Sequence, residues 1–199
     1  MSNQAINNIR VVTMEMITNV KSGHPGIALG AAPIMHTLYT SVLKQTPKDS
    51  KWINRDRFVM AAGHGSSLLY AALHLAGYNV TINDLKNFRQ LGSITPGHPE
   101  LGVTDGVDAS SGPLGQGIAM ACGMALSQKV LAERYNKPNF DVFNHYTYVL
   151  CGDGDLQEGV TLEALSSECI YRYTDLPRVQ KRRGSRGRHA LLPWRQAPL

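Results

Sequence analysis

Two stretches of this chain pass from a short apolar run through a glycine-rich turn into a helical pattern: RFVMAAGHGSSLLYAALHLAGY (57–78) and HYTYVLCGDGDLQEGVTLEALS (145–166). Strand, glycine loop and helix in that order, repeated with further helices between, predict an α/β fold with a mainly parallel sheet and flanking helices, because parallel neighbours need a helical crossover. In such sheets a ligand lies outside the carboxyl ends of the strands, so AGHGSS and GDGDLQE are expected to share one ligand-facing rim.

The other elements follow from spacing. Ala5, Ile9, Val12, Met16 and Val20 recur at steps of three and four and predict an amphipathic helix over 3–20, with Ser2 available as its cap. GHPGIALGAAP breaks that pattern, and Pro33 suits the first turn of a second helix through IMHTLYTSVL, with Ile34, Leu38 and Leu43 inward. Thr81 caps a short helix, INDLKNF. Residues 91–114 read as loop, and 115–135 as a helix of small residues able to lie close against a sheet.

With 199 residues, 43% hydrophobic and 18% charged, the chain has material for one buried core. No run of eighteen apolar residues occurs and MSNQAINNIR lacks the order of a signal peptide, so a cytoplasmic protein without a membrane partner is expected. Cys122, Cys151 and Cys169 follow no metal-ligand spacing and are expected as reduced thiols. The net charge of +5 is uneven: residues 169–199 hold eight of the 20 basic residues and one of the 15 acidic ones. The chain therefore divides into a near-neutral globular part, 1–168, and a basic tail, 169–199. Arginine-rich segments can bind nucleic acid through phosphate charge, but the arginine-rich stretch here, 178–195, has no fold signature and no interleaved aromatic beyond Trp194, so nucleic acid is not expected as a partner. Its scant periodic apolar surface predicts disorder instead.

The chemistry-bearing candidates lie in loops. His24, His64 and His98 each follow glycine, in SGHPG, AGHGSS and PGHPE. Singly, each fits an ordinary surface histidine; together they suit a substrate with several hydroxyls, or a phosphate, since imidazole can accept, donate or move a proton near neutral pH. GPLGQG (112–117) fits either a tight turn or a diphosphate cradle at a helix N-terminus. Asp153, at the tip of a strand between two glycines, fits either a solvated turn or a ligand for magnesium, which takes carboxylate, phosphate and water oxygens. Asp155 and Glu158 read as helix-start acids favoured by the macrodipole, Asp155 in particular.

In order along the chain, SGHPG, AGHGSSLLYAALHLAGY, FRQLGS with TPGHPE, GPLGQGIAMACGMA and GDGDLQEG resemble the amino-terminal region of transketolases over roughly residues 4–167. The resemblance implies a thiamine-diphosphate-binding fold and transfer of a two-carbon ketol unit from a ketose phosphate to an aldose phosphate. It implies thiamine diphosphate with Mg2+, or Ca2+ in its place, as cofactors. Asp153 would bind the metal, Gly154 and His64 would meet the diphosphate, and Gly112 and Leu114 would support the thiazolium side. His24 and His98 would meet substrate hydroxyls and relay protons, and Glu158 would lie at a dimer interface. Sugar phosphates, and a second copy or a subunit carrying the pyrimidine-binding domain, are the implied partners.

The pattern departs after Ser166. The family continues to a strand bearing an asparagine that completes the metal site, whereas the last asparagine here is Asn144, before the GDG turn. The chain also holds no pyrimidine-binding half with its cofactor-activating glutamate. The fold is therefore expected to be incomplete on its C-terminal side, and the tail to be an unselected end such as a change of coding frame produces. The chain alone is expected to be inactive; the alternative is a non-catalytic fragment that binds cofactor weakly or associates with a full-length partner.

Overall fold

A computed structural model describes the backbone of residues 2–171 and 189–194 and the side chains of 3–166. Helix α1 (Ser2–Val20) and helix α2 (Pro25–Thr37) lead into strand β1 (Arg57–Met60), then helices α3 (Ser66–Ala76), α4 (Ile82–Lys86) and α5 (Gln116–Tyr135). Strand β2 (Thr147–Gly152), helix α6 (Gly159–Tyr171) and strand β3 (His189–Trp194) complete the order. The predicted α1 face is the buried one, with Ile9, Met16 and Ile17 in the core. Thr81 caps α4 as expected, in a reciprocal box with Asp84.

The second helix differs from expectation. It begins at Pro25, which takes the first-turn position assigned to Pro33, and Pro33 lies inside it. Pro33 has no N–H for the carbonyl of Leu29 one turn back. Arg10 of α1 fills that vacancy, its Nε donating to the Leu29 oxygen at 3.0 Å. The helix therefore continues, burying Ile27, Ala28, Ala31, Ala32 and Met35, and ends in a wide turn in which the Leu43 N–H reaches the Leu38 oxygen.

β1 and β2 pair in parallel, Arg57 opposite Thr147 and Met60 opposite Leu150. Side chains alternate across the pleat, so the pair divides the core. Phe58, Met60, Tyr148 and Leu150 face a cluster built with α1, α2 and α3. Val59, Val149 and Cys151 face a second cluster with Ile118, Ala121 and Cys122 of α5, and with Ala164 and Leu165 of α6 packed against it. Cys122 and Cys151 are buried thiols in that layer; the side chain of Cys169 lies outside those described.

The segment expected to be disordered contains a strand. β3 pairs antiparallel with β2 on the edge away from β1, Trp194 opposite Thr147 and His189 opposite Gly152. An open strand edge offers unpaired backbone groups to any extended segment, and Pro193 is tolerated because β3 is itself an edge. Backbone pairing needs no apolar periodicity, so composition does not signal it. α6 also continues to Tyr171, past the boundary drawn at 168. The rest of the tail lies outside the described residues.

Two carboxylates hold the entry ends of the strands. Asp56 accepts from the Lys44 and Tyr146 N–H groups, each at 2.8 Å. Asp108 accepts from the Phe58 N–H at 2.8 Å and pairs with Arg55, fixing the long loop before α5 against β1. Asp108→Ala leaves a buried N–H and a largely buried guanidinium without their partner, and should lower the unfolding free energy by about 3 kcal/mol. Urea denaturation checks this.

His145, before β2, lines a cavity of about 1070 Å³ with Met120, Met124 and Phe143. Burial, reinforced by Arg57, Arg55 and Lys44, pushes its imidazole down to about 4. The unfolded chain protonates this residue first as pH falls, so its contribution to stability is complete above about 6.5 and is lost towards about 4. His145→Asn should flatten the fall in Tm over that window, read by thermal unfolding at stepped pH.

Candidate functional site

The exits of β1 and β2 lie side by side, and the loops that follow them are locked to one another by glycine contacts and backbone hydrogen bonds. Gly63 opens the GHG turn after β1. A Cβ there would lie 2.8 Å from the Ser111 oxygen and 2.9 Å from the Gly112 nitrogen, so the turn rests directly on the SSGPLG loop. Ser111 in turn donates from Oγ to the Met60 oxygen at 2.6 Å and from its N–H to the Pro99 oxygen. Ser66, at the start of α3, donates to the Gly97 oxygen at 2.7 Å, and the buried Tyr70 hydroxyl to the His98 oxygen. The PGHPE loop is thereby pinned to α3 through its backbone.

This packing gathers the loop histidines. His24, the residue before α2, meets His64 edge to face with ring centroids 5.1 Å apart. A Cβ at Gly112 would lie 3.4 Å from the His98 ring. Partial withdrawal from water holds the imidazole of the otherwise exposed His98 below its ordinary value, helped by the neighbouring Arg89 and His24 charges. Arg89 bridges the two loops: its Nη1 donates to Ser22 Oγ at 2.9 Å and its Nη2 to the Gly97 oxygen at 3.4 Å. Its φ of +59° is unusual for a side-chain-bearing residue and is held by its N–H bond to the Thr95 oxygen.

The second wall of the site is the GDG turn against the start of α5. Gly117 places α5 on the exit of β1, where a Cβ would lie 2.5 Å from Ala61 Cα. Gly115, with φ +80°, packs on the turn into α6, where a Cβ would meet Thr161 Oγ1 at 2.7 Å and Glu158 Cβ at 2.8 Å. A Cβ at Gly154 would lie 3.5 Å from the exposed Leu114 side chain. Leu114 and Gly154 thus face each other across the rim. Asp153 is exposed, and its carboxylate accepts a local bond from the Gly154 N–H. Glu158 is exposed just before α6.

Asp155 stands in the first turn of a short 3-10 helix, Asp155–Gln157, as a helix-start acid should, but it is fully buried. Its Oδ1 accepts from the Gly115 N–H at 3.0 Å, its Oδ2 from the Gly152 N–H at 2.7 Å, and its backbone oxygen from Thr161 Oγ1 at 2.6 Å. Gly115 is forty residues away in sequence, so no local pattern could have revealed this partner. Ser111 and Arg89 were missed for the same reason.

Asp153 is an exposed carboxylate at the exit of β2 that could hold an oxygen-coordinated cation. Among the described residues no three His, Cys, Asp or Glu side chains converge on a metal position, so a cation at Asp153 would draw its other ligands from backbone, water and phosphate oxygens, the habit of magnesium. Asn144 is remote: it precedes β2, where its N–H bonds Asn54 and its amide bonds Asp141, while Asp153 follows the other end of the strand.

Comparisons with known proteins converge on one family. The family described as "Transketolase, thiamine diphosphate binding domain" matches residues 1–176. A transketolase of Geobacillus stearothermophilus is 58% identical over 162 residues, which are 81% of this chain and 24% of that protein. The structure of transketolase from Leishmania mexicana superposes with a TM-score of 0.82 at 52% identity, covering 84% of this chain and 25% of that one. Transketolase from Pichia stipitis in complex with sedoheptulose 7-phosphate gives 0.81 at 50% identity, covering 83% and 24%. The chain spans about a quarter of the length of these relatives.

Because Arg89 contributes to the low affinity of His98 for a proton, Arg89→Leu should move the His98 imidazole up towards its ordinary value. Titration of the His98 ring by NMR reads this directly, and an unmoved titration would contradict the proximity described here.

Proposed function

Since the chain belongs to the transketolase family through its thiamine diphosphate binding domain, we propose that its loop cluster is the diphosphate- and thiazolium-facing part of a thiamine-diphosphate site for two-carbon ketol transfer between sugar phosphates. The observation that carries this reading is the convergence of three loops on one rim: GHG after β1, GPLG before α5 and GDG after β2. Phosphate-binding sites favour such places, where glycines let backbone N–H groups approach and a helix begins.

Bound there, thiamine diphosphate supplies a nucleophilic thiazolium carbon for the ketose carbonyl. Asp153 holds the divalent cation, Mg2+ or Ca2+, and Gly154 meets the diphosphate through its backbone. His64 meets the diphosphate beside His24, and Gly112 with Leu114 supports the thiazolium side. His24 and His98 bind substrate hydroxyls and move protons at the reacting carbons. The depressed proton affinity of His98 suits this, since a neutral imidazole at neutral pH can accept a proton. Glu158, exposed beside Gly115, is assigned to contact with a second subunit.

Sugar phosphates are the proposed substrates, a class that includes the sedoheptulose 7-phosphate held by the Pichia stipitis enzyme. A second copy, or a subunit carrying the pyrimidine-binding domain, is the proposed protein partner. Among the described residues no helix is long and apolar enough to cross a membrane, and we assign the protein to the cytoplasm without a membrane or nucleic-acid partner. A second reading, a non-catalytic fragment that holds cofactor weakly or joins a full-length partner, is favoured by one observation. No asparagine follows Asn144, so the second metal ligand implied by the family pattern is missing from these 199 residues.

Calorimetry with thiamine diphosphate and magnesium tests the site. The chain should bind, and Asp153→Ala should weaken binding by about tenfold or more, one lost charge-assisted contact. The 199 residues assayed alone should show no ketol transfer, and activity should need the pyrimidine half in trans. Undiminished binding by the alanine variant would overturn the metal assignment, and turnover by the chain alone would overturn the need for a second half.

A further inference from the structure

We propose that Asp155 is a positioning residue that sets the spacing between the two cofactor-facing loops, an inference that rests on the thiamine-diphosphate reading above. Its two carboxylate oxygens are divided between those loops. Oδ1 takes the N–H of Gly115, which closes the GPLG turn, and Oδ2 takes the N–H of Gly152, which opens the GDG turn. Neither oxygen faces solvent, for the residue is fully buried. Asp155 therefore acts through the backbone of its neighbours rather than on a ligand.

The geometry explains why a carboxylate serves here. Two N–H donors from segments forty residues apart point at one side chain, and only a group that accepts at both ends without donating satisfies both. An asparagine would turn its NH2 towards one of them. Charge-assisted bonds of this kind are short and directional, so they fix separation as well as energy. That separation is the distance across which Leu114 and Gly154 face each other. Gly115 closes the arrangement from behind. It has no side chain to push the turn away, and Thr161, which would collide with one, instead bonds the Asp155 carbonyl.

The clasp separates holding the loops apart from holding the cation. Asp153 is exposed and turned outward, whereas Asp155 is turned inward. Two carboxylates two residues apart thus have opposite tasks. Without the inner one, the diphosphate cradle should widen or collapse while Asp153 itself is intact.

The test uses the 199-residue chain with two probes, magnesium thiamine diphosphate and magnesium pyrophosphate, and the variants Asp155→Ala, Asp155→Asn and Asp56→Ala. Asp56→Ala removes the acceptor of the Lys44 and Tyr146 N–H groups at the opposite end of the strands, in a segment that is not one of the rim loops, and so controls for loss of stability. By the proposal, Asp155→Ala weakens both probes by about tenfold or more, Asp155→Asn weakens them less, and Asp56→Ala stays within about twofold of the unsubstituted chain. In the unliganded chain the Gly115 and Gly152 amides should lose hydrogen-exchange protection in the Asp155 variants and keep it in Asp56→Ala. If Asp155→Ala does not fold, Asp155→Asn decides by the same readouts. Binding unchanged in the Asp155 variants, or equally weakened in Asp56→Ala, overturns the inference and leaves the cofactor reading standing. Failure of the unsubstituted chain to bind either probe overturns that reading, and this inference with it.

Discussion

The parallel pairing of β1 with β2 is the constraint on which the rest depends. Parallel strands present their carboxyl ends on the same side, so the residues that follow Met60 and Gly152 emerge as neighbours. Both exits are glycine-rich, and β1 and β2 are buried on both faces by separate helix layers. Had the two strands run antiparallel, GHG and GDG would lie at opposite ends of the sheet, and no arrangement of loops would bring them together. Function in this chain is therefore a consequence of strand direction before it is a consequence of any side chain.

Strand direction alone leaves the loops loose, and buried acceptors fasten them. Asp56 and Asp108 take backbone N–H groups at the entry ends; Asp155 does so at the exits, where Ser111 in turn donates to a backbone carbonyl. Loops have no ladder of their own to satisfy their N–H groups, and a buried N–H without a partner costs about 1–3 kcal/mol. A carboxylate solves two such problems at once. Glycines at 63, 115 and 117 then permit the approach that these bonds require, since each touches atoms where a Cβ could not fit without displacement. Polar satisfaction and close packing fix the rim together, leaving Asp153, His24 and His98 exposed.

What the sequence made legible was local. Period-3.6 spacing revealed α1, a run of small residues revealed α5, the apolar runs revealed β1 and β2, and turn chemistry placed the candidate histidines in loops and Asp153 at a strand exit. What stayed hidden was non-local. Pro33 reads as a helix start because proline breaks an isolated helix, and only a side chain from another helix, Arg10, relieves the break. Asp155 reads as a helix-start acid because its partner Gly115 lies forty residues earlier. Arg89 reads as a loop residue because its links to Ser22 and Gly97 need the fold to exist first. In each case the deciding hydrogen bond spans a distance that a window of sequence does not contain.

The antiparallel strand β3 bears on the proposed metal site in a way that its backbone alone decides. A strand edge accepts one partner, and β2 has β1 on one side and β3 on the other, so both its edges are taken. A further strand reached from β2 through α6 by a right-handed crossover would run parallel to β2 and present its own carboxyl end at the rim. β3 runs the other way: His189, its first residue, pairs with Gly152, and the strand then travels away from the rim to Trp194. Its carboxyl end is thus at the wrong side of the sheet to add an oxygen ligand beside Asp153. The pairing that satisfies the edge of β2 and the pairing that would complete the grip on a cation compete for the same row of backbone groups, and in this chain the first of them holds it.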